Sequence, residues 1–281
     1  MTVLTVEEAP GPVTVQDRGR RGLAHLGVPR AGALDEPAAA LANRLVGNDE
    51  DLAVLEVTLG GLTVRAGGPV WVAVTGAACS VSVDGRPAPH AEAVYVPERG
   101  LLRLGPAEQG VRAYLAVGGG IDVDPVLGSR STDTLAWVGP PAVVAGTELP
   151  VGAHDGTPAA YDAPRPPRPG PLRVDPGPRR DWFGPDALDR LCGTTYTVRP
   201  ESNRIGLRLD GPPLPRVRDE ELPSEGMVLG AVQVPPDGRP VVFLHDHPTT
   251  GGYPVLAVVR ADDLWRCAQL RPGDRVEFRR A

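Results

Sequence analysis

The sequence predicts a mainly β protein of two domains, and three observations carry that expectation. Among 281 residues, 35 are glycine and 33 are proline, a density of turn formers that leaves room only for short elements. Apolar runs of four to six residues recur between those turns, the spacing expected of a barrel or sandwich. A proline-rich stretch over 158–178 is too stiff and polar for a core element. It marks a linker between an N-terminal domain, 1–157, and a C-terminal domain, 179–281.

The elements follow in order. Residues 2–6 and 13–17 read as strands joined through Pro10-Gly11. Regularity stops over 18–32, where four glycines, a proline and Arg20, Arg21 and Arg30 indicate a loop with a defined path. Those arginines read as solvated or as an anion clamp, and His25 as a hydrogen-bonded structural histidine. Asp35 as N-cap, Pro37 in the first turn, and Ala38, Leu41, Ala42 and Leu45 at helical spacing predict a helix of about ten residues. Strands are expected over 55–59, 62–65, 70–75, 79–83, 93–96, 101–104 and 113–117.

Gly118, Gly119 and Gly120 follow a strand, but no amphipathic helix follows them, so the dinucleotide fingerprint fails. Ser129, Ser131 and Asp133 form a polar cluster without a motif-spaced histidine, which reads as a loop holding its own backbone. A short helix is expected over 182–192 with Pro185 in its first turn. Strands over 194–198, 205–209 and 241–244 precede a last helix capped by Asp262 and a closing strand, 275–278.

Composition excludes whole classes of chemistry. All 29 basic residues are arginine, so there is no Schiff-base lysine, no Walker lysine and no lysine to carry biotin on this chain. The net charge of -6, without a basic block, argues against a nucleic-acid partner. Cys79, Cys192 and Cys267 lie far apart and read as small buried residues in a reducing compartment. No leader pattern and no apolar run of about 18 residues is seen, and the expected location is the cytoplasm.

The unusual chemistry gathers over 225–254. An apolar strand there feeds Pro248-Thr-Thr-Gly-Gly-Tyr253, where two hydroxyls and two glycines suit a carboxylate or phosphate, or simply a favourable turn. Glu201, Asn203 and Arg204 gather a carboxylate, an amide and a guanidinium beside a strand, either for a small polar ligand or as a local Glu201–Arg204 ion pair. His245 and His247, two apart on a strand, would point to one face, the geometry of a metal pair.

Taken together, Thr14-Val-Gln-Asp-Arg-Gly-Arg, Gly32-Ala-Leu-Asp, Ala42-Asn-Arg-Leu-Val-Gly-Asn, Leu55-Glu-Val-Thr-Leu-Gly, Tyr114-Leu-Ala-Val-Gly-Gly-Gly-Ile-Asp-Val, Gly128-Ser-Arg-Ser-Thr-Asp, Ser202-Asn-Arg-Ile-Gly, Gln233-Val-Pro and Thr249-Thr-Gly-Gly-Tyr-Pro resemble the biotin-dependent carboxyltransferase-like family. That family includes the C subunit of 5-oxoprolinase, the carboxyltransferase region of urea carboxylase and an antagonist of a sporulation-kinase inhibitor. Leu229 departs from it, standing where proline is frequent in a Gly-x-x-Pro-Gly turn.

The resemblance implies two cyclophilin-like β-barrel domains with a site near their junction. It implies a three-part enzyme, inactive as this chain alone, that uses ATP (with Mg) to open the lactam of 5-oxoproline to glutamate. The implied partners are the 5-oxoprolinase B subunit, which is kinase-inhibitor-like, together with the A subunit. Alternatives are a regulatory partner of a kinase-inhibitor-like protein, and carboxyl transfer with biotin supplied in trans. On this reading Arg204 and Asn203 hold the substrate carboxylate. Thr249, Thr250 and the Gly251-Gly252 backbone serve an oxyanion or phosphate, and Gln233 and Tyr253 complete the binding set. Glu225, Asp237 and Asp246 compete as the acid/base group, and no metal is expected at His245 and His247.

Overall fold

Period-two alternation decides the architecture of the computed structural model, which describes residues 2–154, 156–158 and 170–281. The first unit comprises Met1–Arg20, Ala31–Asp133 and Trp137–Pro166. It contains β1 (Val3–Glu8), β2 (Val13–Gln16), α1 (Glu36–Leu45), β3 (Val54–Thr58), β4 (Gly60–Ala66), β5 (Val70–Val83), β6 (Arg86–Ala88), β7 (Ala93–Val96), β8 (Leu101–Val117) and β9 (Glu148–Pro150). These strands make one curled, nine-stranded sheet, ordered β2-β3-β8-β4-β1-β9, with β5 beside β8 and carrying β6 and β7.

Leu55, Val57, Val72, Val74, Leu115 and Val117 point into one apolar layer with Leu4 and Val6. Their chain neighbours Val54, Ala73, Tyr114 and Ala116 face the opposite way, against Leu41, Ala42 and Leu45 of α1. A one-residue slip would exchange the two layers, so burial on both faces fixes the register. The helix forms as expected, with the Asp35 side chain accepting from Ala38 N at 3.1 Å.

Two pairs of expected strands prove to be single long ones. Residues 70–75 and 79–83 are both parts of β5, and 101–104 and 113–117 are both parts of β8. The glycines between them are bulges rather than turns. Pairing of β5 with β8 shifts register between Gly76 and Val81, and Gly76 and Gly110 take φ of 80° and 76°. The Ser129–Asp133 cluster does hold backbone. Ser129 and Ser131 donate to Asp17 Oδ1 at 2.6 and 2.5 Å, and Arg130 N donates to Asp17 Oδ2 at 2.6 Å. Arg20 is buried and spends its guanidinium on the Val126 and Ser131 carbonyls.

The second unit comprises Arg21–Arg30, Thr134–Ala136 and Pro167–Ala281. Its elements are β10 (Leu172–Pro176), α2 (Ala187–Gly193), β11 (Thr195–Val198), β12 (Gly206–Asp210), β13 (Glu225–Gly226), β14 (Ala231–Gln233), β15 (Val241–Phe243), β16 (Thr250–Gly251), β17 (Val255–Val259), α3 (Ala261–Cys267) and β18 (Arg275–Arg280). Seven of these strands close a barrel in the order β10-β17-β14-β15-β12-β11-β18. The ring is sealed by a parallel pairing of β10 with β18, Leu172 opposite Phe278.

Of the expected linker, 159–169 lies outside the described residues, while Leu172–Pro176 is the barrel strand β10. Leu172 and Val174 are buried, and that alternation outweighs the flanking prolines. Two helix starts also shift. Pro185 precedes α2 rather than entering its first turn, and α3 begins after Arg260 without a side-chain cap. Asp262 is exposed in the first turn of α3, where its charge still faces the helix N-terminus. The adjacent Asp263 is buried and accepts from Arg173 N, Nε and Nη2 at 2.8, 2.9 and 3.0 Å. Among the described residues, no helix is long and apolar enough to cross a membrane.

Candidate functional site

The chain leaving β15 makes a tight turn before it reaches the Thr-Thr-Gly-Gly loop. Leu244 N donates to Ile205 O at 3.0 Å, Asp246 N to Arg204 O at 3.1 Å, and His247 N to Leu244 O at 3.0 Å. At this root Arg204 Nε and Nη2 donate to Asp246 Oδ2 and Oδ1 at 2.9 and 3.0 Å. Thr134 adds its N and Oγ1 to Asp246 Oδ2 at 2.9 and 2.7 Å. Arg204 is 6% and Asp246 0% exposed, so this is a buried, bidentate pair with both carboxylate oxygens occupied.

That geometry changes several expectations. The fork of Arg204 is spent on Asp246 rather than turned toward a ligand carboxylate, and Asp246 has no open oxygen for proton transfer. The local Glu201–Arg204 pair is not formed, because Glu201 pairs with Arg199 at 3.2 Å. Asn203 is exposed, and its Oδ1 braces the turn by accepting from Ile205 N and Gly206 N at 2.9 and 3.3 Å.

His245 and His247 lie in the turn beyond the end of β15, so strand periodicity does not set them on one face. His247 stacks on Phe243 with ring centroids 5.7 Å apart, and its Nδ1 donates to Pro248 O at 2.8 Å. Burial pushes its pKa below the ordinary 6.5. Among the described residues, no group of three or more His, Cys, Asp or Glu is placed to hold a metal ion.

Beyond the turn, β16 pairs with β13, setting Gly251 opposite Glu225 and Thr250 opposite Gly226. Met227 N donates to Thr249 O at 2.9 Å and continues this short ladder. Arg179 grips the Glu225 carboxylate with two donors, Nε at 2.9 Å and Nη2. Behind the ladder, the buried Gln233 Nε2 donates to Tyr253 O at 3.0 Å. A Cβ on Gly251 would stand 3.0 Å from Gln233 Nε2 and 3.2 Å from Met227 Cγ, so a larger residue here would push on both side chains. Thr250 and Tyr253 face outward. The loop thus joins Glu225, Gln233, Thr249, Thr250, Gly251, Gly252 and Tyr253. Asp237 is exposed in its own Pro-Pro-Asp-Gly turn, where its Oδ1 accepts from Arg239 N at 3.1 Å.

Two arginines escaped the sequence reading because neither sits in a recognisable motif. Arg179 is the partner of Glu225 just described. Arg216 Nη2 donates to Val234 O at 2.7 Å, and its guanidinium lies 5.5 Å from the Tyr253 ring centroid. Its Nε is buried without an acceptor among the described residues. Burial lowers its pKa, and the nearby Tyr253 and Asp237 oppose that shift. An open depression of about 290 Å³ on the first unit, lined by Glu8, Thr63, Ser80, Ser82 and Arg103, contains none of the site residues expected from sequence.

Comparison with known proteins gives this arrangement a setting. The chain is 38% identical over 275 residues to the 5-oxoprolinase C subunit of Escherichia coli K12, covering 94% of this chain and 87% of that one. It superposes on the crystal structure of TTHA0988 with a TM-score of 0.89 at 38% identity, covering 99% of this chain and spanning 56% of that protein's length. It superposes on Kluyveromyces lactis urea carboxylase with a TM-score of 0.90 at 30% identity, covering 99% of this chain and 27% of that one. The family model described as carboxyltransferase domain, subdomain A and B, matches residues 26–280. With nearly the whole described fold inside that match, the chain belongs to the carboxyltransferase domain, subdomain A and B family.

Proposed function

We propose that the protein is one component of a cytoplasmic assembly that opens the lactam of 5-oxoproline to glutamate at the expense of ATP. The observation that carries this reading is the near full-length similarity to the 5-oxoprolinase C subunit of Escherichia coli. The chain does not itself fit ATP. It has no lysine for the phosphates, and its glycine triplet at Gly118 to Gly120 runs into a turn with no helix behind it. ATP, with its magnesium, therefore belongs on the partners, the A subunit or the kinase-inhibitor-like B subunit.

What this chain supplies is fixed polarity around the lactam. Amide resonance makes the lactam carbonyl a weak electrophile, and ring opening places negative charge on its oxygen. The Thr249 and Thr250 hydroxyls and the Gly251-Gly252 backbone are the donors for that charge, held by the ladder to β13. Glu225 is the carboxylate that adjoins the loop, and Arg179 fixes its orientation. The attacking water gives up a proton and the ring nitrogen takes one up as the C–N bond breaks, and Glu225, ionised beside Arg179 but 27% exposed where Asp246 is wholly buried, is the base we assign to carry it.

A second reading is favoured by the likeness to urea carboxylase: carboxyl transfer with biotin carried on another chain. The deciding experiment measures glutamate release from 5-oxoproline, with ATP, for the chain alone and with the two partner proteins. Glutamate is expected only from the three together. Robust turnover by the chain alone would refute the assembly. Carboxyl transfer with a biotin-bearing partner, and no glutamate, would establish the second reading.

A further inference from the structure

We propose that Arg216 is the anchor for the carboxylate of the small molecule held at the loop 249–253. Arg112, Arg173, Arg179 and Arg204 each meet a carboxylate, Glu56, Asp263, Glu225 and Asp246 in turn, and the buried Arg20 meets two backbone carbonyls. Arg216 differs. One of its donors, Nη2, is spent on the Val234 carbonyl, and Nε is buried against no acceptor among the described residues. Asp237 acts on it electrostatically but accepts from Arg239 N through its Oδ1.

A half-buried cation with donors left over carries a desolvation cost that an arriving anion would offset. The guanidinium lies over the Tyr253 ring, 5.5 Å from its centroid, and Tyr253 directly follows Gly251-Gly252 in the loop. A planar fork that keeps unused N–H groups matches a carboxylate in geometry as well as charge. The ligand class is therefore a small molecule with one carboxylate on an otherwise neutral body. Identifying it as 5-oxoproline rests on the function proposed above.

The test titrates the chain, alone and with its partner proteins, with 5-oxoproline and with 2-pyrrolidinone, the same ring without the carboxylate. Calorimetry gives affinity, and the arginine Nε–Hε signals in ¹⁵N NMR, assigned with Arg216→Lys, report the side chain. 5-Oxoproline is expected to move the Arg216 Nε–Hε signal, and 2-pyrrolidinone to leave it in place. Arg216→Gln should weaken 5-oxoproline binding roughly 10- to 100-fold, with Arg216→Lys intermediate because it keeps charge but not the fork. Melting temperatures of both variants separate this loss from unfolding, and the lysine variant carries the test if the glutamine variant does not fold.

Equal affinity in wild type and the lysine variant overturns the anchor, as does a wild-type protein that binds 5-oxoproline neither alone nor assembled. Arg216-dependent binding in an assembly that never releases glutamate would sink the proposed function and leave the anchor standing. Glutamate release with an unchanged kcat/KM in the Arg216 variants would do the reverse.

Discussion

Arg204 and Asp246 differ from Arg216 in what surrounds them, and that difference sets what their substitution does. Asp246→Asn leaves the buried Arg204 charge facing a neutral amide, so a loss of about 3–5 kcal/mol of folding stability is expected. Replacing both with apolar residues of similar volume, Arg204→Met with Asp246→Leu, removes the uncompensated charge and should recover most of it. Urea unfolding of the three proteins checks this; a single variant as stable as wild type would show the pair to be dispensable. His247 gives a pH signature instead. Its folded pKa lies below 6.5, so as pH falls the unfolded chain takes up the proton first. Its contribution to stability is complete above about 6.5 and is lost below it as pH descends toward the folded pKa. His247→Gln should flatten the slope of melting temperature against pH between roughly 6.5 and 5, and an unchanged slope would assign the acid sensitivity elsewhere.

At the level of elements, the ladder of β13 with β16 is what turns a favourable turn into a rigid donor array. Gly251→Ala should displace the Gln233 side chain and shift the loop by a fraction of an ångström. Because Gly251 does not adopt a positive φ, the fold should survive, and the expected loss falls on kcat/KM, up to about 100-fold in the reconstituted assembly. A variant with full activity would mean that the loop does not contact substrate. The strands themselves were largely legible, since alternation of Val, Leu and Ala announces them wherever one face is buried. What the sequence concealed was continuity, because Gly76 and Gly110 punctuate like turns yet act as bulges within β5 and β8. It also concealed β10, whose apolar alternation sits among prolines that read as linker.

For the whole molecule, family membership was readable because short motifs keep their order along the chain, whereas the pairings of the site were not. Arg204 meets Asp246 across 42 residues and Arg179 meets Glu225 across 46, and local patterning carries no information about such partners. Assembly is the prediction at this scale: co-expressed with the kinase-inhibitor-like B subunit, the chain is expected to co-elute from a sizing column. Two separate peaks at micromolar concentration would count against it. The parallel seam between β10 and β18 bears on how the protein is made. A ribosome delivers Leu172 about a hundred residues before its seam partner Phe278, so the second unit remains an open sheet with two unsatisfied edges until β18 has emerged. Nascent chains arrested before β18 should therefore be protease-sensitive throughout the second unit while the sheet of the first is already protected, and ribosome stalling between β10 and β18 is the event to which this unit is most exposed.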